Sequence, residues 1–149
     1  MTNKEIQNTD IQNKFAHYPD QVKPSLDAIR QLIYSLVDEL QLGEIEESLK
    51  WGEPSFKVKS GSPIRMDWKA ATPDNYYLFF NCQTKLVDTF RELYSEVLEF
   101  QGNRAIVLSL NHHQQPNLAS QNRISSAVKH CLQLALTYQK VKHLPLLGA

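Results

Sequence analysis

The sequence predicts an α+β domain of two layers, in which a mostly antiparallel sheet of five to six strands packs with three main helices. Three observations point there. Runs of strand-like residues stand between helical patterns instead of alternating with them singly. Residues 64 to 69 alternate strictly, with Ile64, Met66 and Trp68 on one side and Arg65, Asp67 and Lys69 on the other. Gly102-Asn103 separates two apolar runs, as a hairpin turn does.

A chain of 149 residues fits one domain, and at that size folding buries roughly 70% of the unfolded surface, enough for a core without staples. Residues 1 to 12 are polar and aperiodic and read as a disordered lead-in, pinned by Phe15 and Tyr18, before a single domain over 13 to 149. From Pro24 onward, Leu26, Ile29, Ile33, Leu36, Val37 and Leu40 recur at steps of three and four. They make one face of a helix that starts at Pro19 or Pro24 and that Gly43 can stop.

Strands follow at about 45 to 51 and 55 to 59, with Gly52 and Pro54 barring a helix. If Phe56 and Val58 are buried on one face with Ile64, Met66 and Trp68, paired residue numbers must sum to an even value. A three- or five-residue loop around Gly61-Ser62-Pro63 meets that parity. It puts Val58 opposite Met66, Lys57 opposite Asp67 and Lys59 opposite Arg65. After a turn at 70 to 75, the unbroken apolar run 76 to 80 predicts a central strand buried on both faces.

Thr84 is placed to cap a second helix that turns Val87, Phe90, Leu93 and Tyr94 to the sheet. Strands at 98 to 100 and 105 to 110 flank the Gly102 turn, and 112 to 117 reads as an exposed loop. A third helix over 120 to 138 buries Ile124, Val128, Cys131, Leu134 or Ala135, and Tyr138. Pro145 keeps the apolar tail from continuing it, so the tail is expected to dock on the body.

Sixteen basic and 16 acidic residues cancel, so no global field draws the chain to nucleic acid or an anionic membrane, and neither partner is expected. The N-terminus lacks the apolar core of a signal peptide, and the run at 76 to 80 is too short to span a bilayer; the expected location is cytoplasmic. Cys82 and Cys131 lack CxxC spacing and read as reduced, buried thiols. Nucleophile and phosphate-loop motifs are absent, and His17, His112, His113, His130 and His143 lack zinc spacing. Cys131 and His130, adjacent on one helix, point about 100° apart. Binding without catalysis is the expectation, with a homodimeric interaction module as the alternative and an enzyme acting on a small anionic metabolite third.

Two stretches carry candidate binding sites. Trp51, Phe56 and Trp68 either line an aromatic groove or pack in the core; Phe56 and Trp68 read as core, whereas Trp51 sits at a strand end. On the polar face of the hairpin, Lys57, Lys59, Arg65 and Lys69 surround Asp67. The expected register sets Lys59 against Arg65, a like-charged pair that solvent or a bound anion can accommodate. The candidate ligand residues are therefore Trp51, Glu53, Lys59, Arg65 and Lys69, for a phosphate or carboxylate whose attached ring stacks on Trp51. The second stretch holds Asp38, Glu39, Glu44, Glu46 and Glu47, which either offer oxygen ligands to a hard cation or form a solvated edge that resists aggregation. The tail residues Leu144, Leu146 and Leu147, or a sheet edge, would serve a homodimer.

Tyr18-Pro19 ahead of the helix, the block Leu49-Lys-Trp-Gly-Glu-Pro-Ser-Phe56, the strand Tyr77-Leu-Phe-Phe80 running into a helix, and the ending Leu144-Pro-Leu-Leu-Gly-Ala149 are shared features. Over residues 15 to 149 the chain resembles the YdhG-like family of small bacterial proteins, a domain of unknown function. Glu53 stands where that family more often has methionine or another apolar residue. The resemblance implies a two-layer α+β fold and a non-enzymatic role; one member is described as a frataxin-like iron chaperone, which makes iron the metal to consider at the acidic stretch.

Overall fold

A computed structural model of the chain describes Ile6 and residues 8 to 110 and 118 to 149, the side chain of Leu118 excepted. Helices α1 (Thr9–His17) and α2 (Lys23–Glu39) precede a hairpin of β1 (Glu46–Lys50) and β2 (Glu53–Lys57). Then come β3 (Ile64–Trp68), β4 (Asn75–Phe79), α3 (Leu86–Tyr94), β5 (Glu99–Gln101) and β6 (Ala105–Ser109). The chain finishes with α4 (Leu118–Leu136), α5 (Tyr138–Val141) and a terminal turn at Pro145–Gly148.

The six strands form one antiparallel sheet in the order β1-β2-β3-β4-β6-β5, so the fold is α+β. Alternation decides what each face meets. Phe56, Ile64, Met66, Tyr76, Leu78, Ile106 and Leu108 share one face and pack with Leu26, Ile33 and Leu36 of α2, Phe90 of α3, and Val128 and Cys131 of α4. On the other face Tyr77, Phe79 and Ala105 form a small cluster with Val107. β4 is buried on both faces, as its unbroken apolarity predicts.

Four expectations need correction. Thr9 to Gln12 are not lead-in: Asn8 caps α1 by accepting from the Ile11 amide at 3.1 Å, and Ile11 is wholly buried. Helix α2 is stopped by Gln41, not Gly43. Gln41 adopts φ 54°, and the Leu42 amide bonds back to the Val37 carbonyl at 2.9 Å, satisfying a carbonyl of the last turn. Cys82 lies beyond β4 and is only half-buried, while burial pushes the Cys131 thiol up and leaves it inert.

The fourth correction is the register of β2 on β3. The parity holds, and Phe56, Val58, Ile64 and Met66 are all buried, but the pairs are Phe56 with Ile64 and Ser55 with Arg65. Val58 is not opposite Met66, nor Lys57 opposite Asp67, nor Lys59 opposite Arg65. The longer connection caps α4. The Ser62 amide and the Ser60 hydroxyl donate to the carbonyls of Ala135 and Leu136, at 2.9 and 2.8 Å, and the Ser60 carbonyl accepts from the Gln139 amide. Unpaired carbonyls at a helix end need such donors, and a tight hairpin would leave them without any.

Trp68 is half-buried against the core, with its indole N–H donated to the Pro73 carbonyl. Thr84 accepts from the Leu86 amide at 3.2 Å, just ahead of α3. The tail docks through Leu147, whereas Leu144 and Leu146 are exposed. The loop at 112 to 117, with His112 and His113, lies outside the described residues.

Candidate functional site

The β1–β2 hairpin turns through two residues only, Trp51 and Gly52, closed by the Lys50–Glu53 pair. Both central residues have positive φ, 56° for Trp51 and 78° for Gly52. Tight hairpins favour that twist and usually place Asn or Gly in it. A tryptophan there is strained by roughly 1 to 3 kcal/mol, and this one is 90% exposed. It holds a large flat side chain in water at the tip of the sheet.

Pro54 follows at once. In an antiparallel ladder, residues alternate in which neighbour they bond. With Glu53 bonded to Lys50 across the turn, Pro54 is directed at β3, where it has no N–H to give. The β2–β3 pairing accordingly begins one residue later, at Ser55 and Arg65.

Between this tip and the loops that follow β4 and β5, a groove of about 1010 Å³ opens on the face that carries Tyr77 and Phe79. Trp51, Glu53, Arg65 and Lys69 line it, together with Phe79 and Arg104. Lys69 lies over the rings of Tyr77 and Phe79, at 5.6 and 5.2 Å, and those rings stack 5.7 Å apart. The long side chain thus screens the aromatic floor while its charge stays at the groove. A smaller depression of about 270 Å³ continues past Arg65, and shares Trp51 and Arg65 with the groove.

Arg65 Nε sits 3.4 Å from Glu53 Oε1, and both side chains are mostly but not wholly shielded, at 27% and 17% exposure. Burial raises the Glu53 carboxyl above its ordinary value; Arg65 pulls it down, Asp67 pushes it up, and Lys69 and Lys14 pull it down. Asp67 is taken up elsewhere. It accepts from the Tyr18 hydroxyl at 2.6 Å and pairs with Lys14 at 3.7 Å. Burial first, and then this bond, push the Tyr18 hydroxyl up.

Of the five candidate ligand residues, the groove brings together Trp51, Glu53, Arg65 and Lys69. Lys59 stands apart, exposed in the loop that caps α4, because the register that would have faced it to Arg65 is not the one formed. The acidic stretch does not converge. Asp38, Glu39, Glu44 and Glu46 are exposed, whereas Glu47 turns inward opposite Phe56. There it accepts from Arg30 Nη2 at 2.8 Å and from the Tyr34 hydroxyl at 2.6 Å. Among the described residues, no three His, Cys, Asp or Glu side chains come together as a group able to hold a metal ion. Within the candidate metal set of Asp38, Glu39, Glu44, Glu46 and Glu47, the one inward carboxylate, Glu47, is thus already paired with a cation.

Sequence reasoning passed over Arg30, although a cation four residues after Leu26 and three before Ile33 lies on the apolar stripe of α2 and so must find a buried partner. It also passed over Arg104 and the loop after β4, for which spacing carries no signal of proximity to Trp51. Compared with known proteins, the chain matches no family model, no curated protein and no solved structure.

Proposed function

We propose that this chain is a non-enzymatic binding protein of the YdhG-like kind, which holds a small anionic ligand in the groove beside the β1–β2 turn. The observation that carries the proposal is Trp51: an exposed indole kept in a strained turn beside Arg65 and Lys69. Strain of this kind persists where the surroundings impose it and marks ligand-binding positions. The groove supplies what a small anion with an attached ring requires, namely two cations, a flat apolar platform and partial exclusion of water. Of the two ligand classes raised by the sequence, hard cation and anion, the placement of these side chains favours the anion. The expected setting is the cytoplasm, where small phosphorylated and carboxylated metabolites are plentiful.

Titration of intrinsic tryptophan fluorescence with such metabolites at low salt tests the proposal. A saturable change that is weakened by Arg65→Ala and by added salt is expected. A signal indifferent to every ligand, with Arg65→Ala folding normally, would contradict it.

A further inference from the structure

Arg65 does not face the groove alone. Glu53 is beside it on the neighbouring strand, at 3.4 Å. An anion that approaches this guanidinium also approaches a carboxylate, and two negative charges at that range repel unless a proton lies between them. The anions open to the site differ in this respect. A phosphate monoester loses its second proton only near pH ~6, so around neutrality it can carry, or readily take up, one P–OH hydrogen. A sulfate monoester has none.

We propose that Glu53 is a specificity-determining residue, which accepts a hydrogen bond from a protonated phosphate oxygen while Arg65 donates to another, so that the groove selects a phosphate monoester over a sulfate of the same shape. The inference rests on the anion-binding reading above and adds the identity of the anion. One proton is shared between ligand oxygen and carboxylate, and no covalent bond changes.

The groups facing Glu53 fit this role. Arg65 and Asp67 reach it from β3, Lys69 from the end of that strand, and Lys14 from α1; Asp67 also holds the Tyr18 hydroxyl. An apolar residue at this position would offer no acceptor. An amide would offer donors as well, and would lose the preference.

Calorimetric titration of the whole chain at pH 6.5 with phenyl phosphate and phenyl sulfate, matched in ring and size, tests the proposal. Phenyl phosphate should bind at least ~10-fold more tightly, since a site built around a ligand hydrogen rejects the analogue without it. Glu53→Gln should bring the two affinities within about threefold of each other, mostly by improving sulfate, and Glu53→Ala should do the same. Raising the pH to 8 should weaken phenyl phosphate more than phenyl sulfate. Equal Arg65-dependent binding of the two ligands, or an unchanged ratio in Glu53→Gln, would overturn the role of Glu53 while leaving anion binding intact. Binding of neither ligand would overturn both.

Discussion

Arg30 of α2 and Glu47 of β1 meet at 2.8 Å with side chains only 1% and 7% exposed, joining the helical layer to the edge of the sheet. The guanidinium also lies over the Tyr34 ring at 4.7 Å, and the Tyr34 hydroxyl donates to the same carboxylate oxygen as Arg30. Arg30→Met should therefore leave a buried carboxylate without its cation. A loss of roughly 3 to 5 kcal/mol is expected, read as a lower urea midpoint, and the double variant Arg30→Met with Glu47→Leu should regain much of it. A single variant as stable as the parent would show that the pair carries no such burden.

Gly61 has no room for a side chain. A Cβ there would lie 2.7 Å from the carbonyl oxygens of both Ala135 and Leu136, backbone atoms of α4 that cannot swing aside. Gly61→Ala should cost about 1 to 3 kcal/mol, the usual range for overpacking, whereas Ala at the exposed Lys59 should be close to neutral. Equal thermal midpoints for the two variants would contradict the docking of this loop on the helix end.

The same loop shows where sequence reasoning stops. Periodicity in Leu26, Ile29, Ile33 and Leu36, and alternation from Ile64 to Trp68, report burial directly because burial selects residue type locally. The central position of β4 and the faces of the hairpin were legible for that reason. Register was not. Serine and glycine at 60 to 62 look the same whether they tighten a hairpin or bond to carbonyls some 75 residues later, as Ser60 does to Leu136. With the register went Lys59 as a site residue. Trp51 beside Gly52 was legible as a strand end, and Arg65 and Lys69 as one charged face; that Glu53 reaches Arg65 depends on the turn geometry, which spacing alone leaves open. Glu47 was misplaced because a run of acids looks solvated, and the partner that draws one of them inward is on another element.

Trp51→Asn should separate stability from binding. Asparagine tolerates positive φ far better than tryptophan and with Gly52 makes a favoured two-residue turn. The variant should be as stable as the parent or more stable, by about 1 kcal/mol, and should lose affinity for ring-bearing anions. Destabilisation would mean that the indole packs in a way its exposure does not suggest.

The pH dependence of stability should carry the signature of Glu53. Its carboxyl is raised in the folded chain above 4.5, chiefly by burial, so the native state binds this proton more tightly than the unfolded state. Stability should then fall as pH rises from about 4.5 through the raised folded value, and level off above it. Subtracting the profile of Glu53→Gln from that of the parent isolates the contribution. A difference that rises with pH in that window would give the opposite sign and contradict the burial of this group.

The most direct measurement of anion binding in the groove uses the two indole N–H signals of the chain in a nitrogen–proton correlation spectrum during titration with phenyl phosphate. Trp51 lines the groove, while the Trp68 indole N–H is held by the Pro73 carbonyl at 2.9 Å. The Trp51 signal should move saturably, accompanied by the backbone signals of Glu53, Arg65 and Lys69, with Trp68 nearly still, and Arg65→Ala should abolish the movement. A titration that leaves Trp51 unmoved, or that shifts residues away from the groove instead, would contradict anion binding at this site.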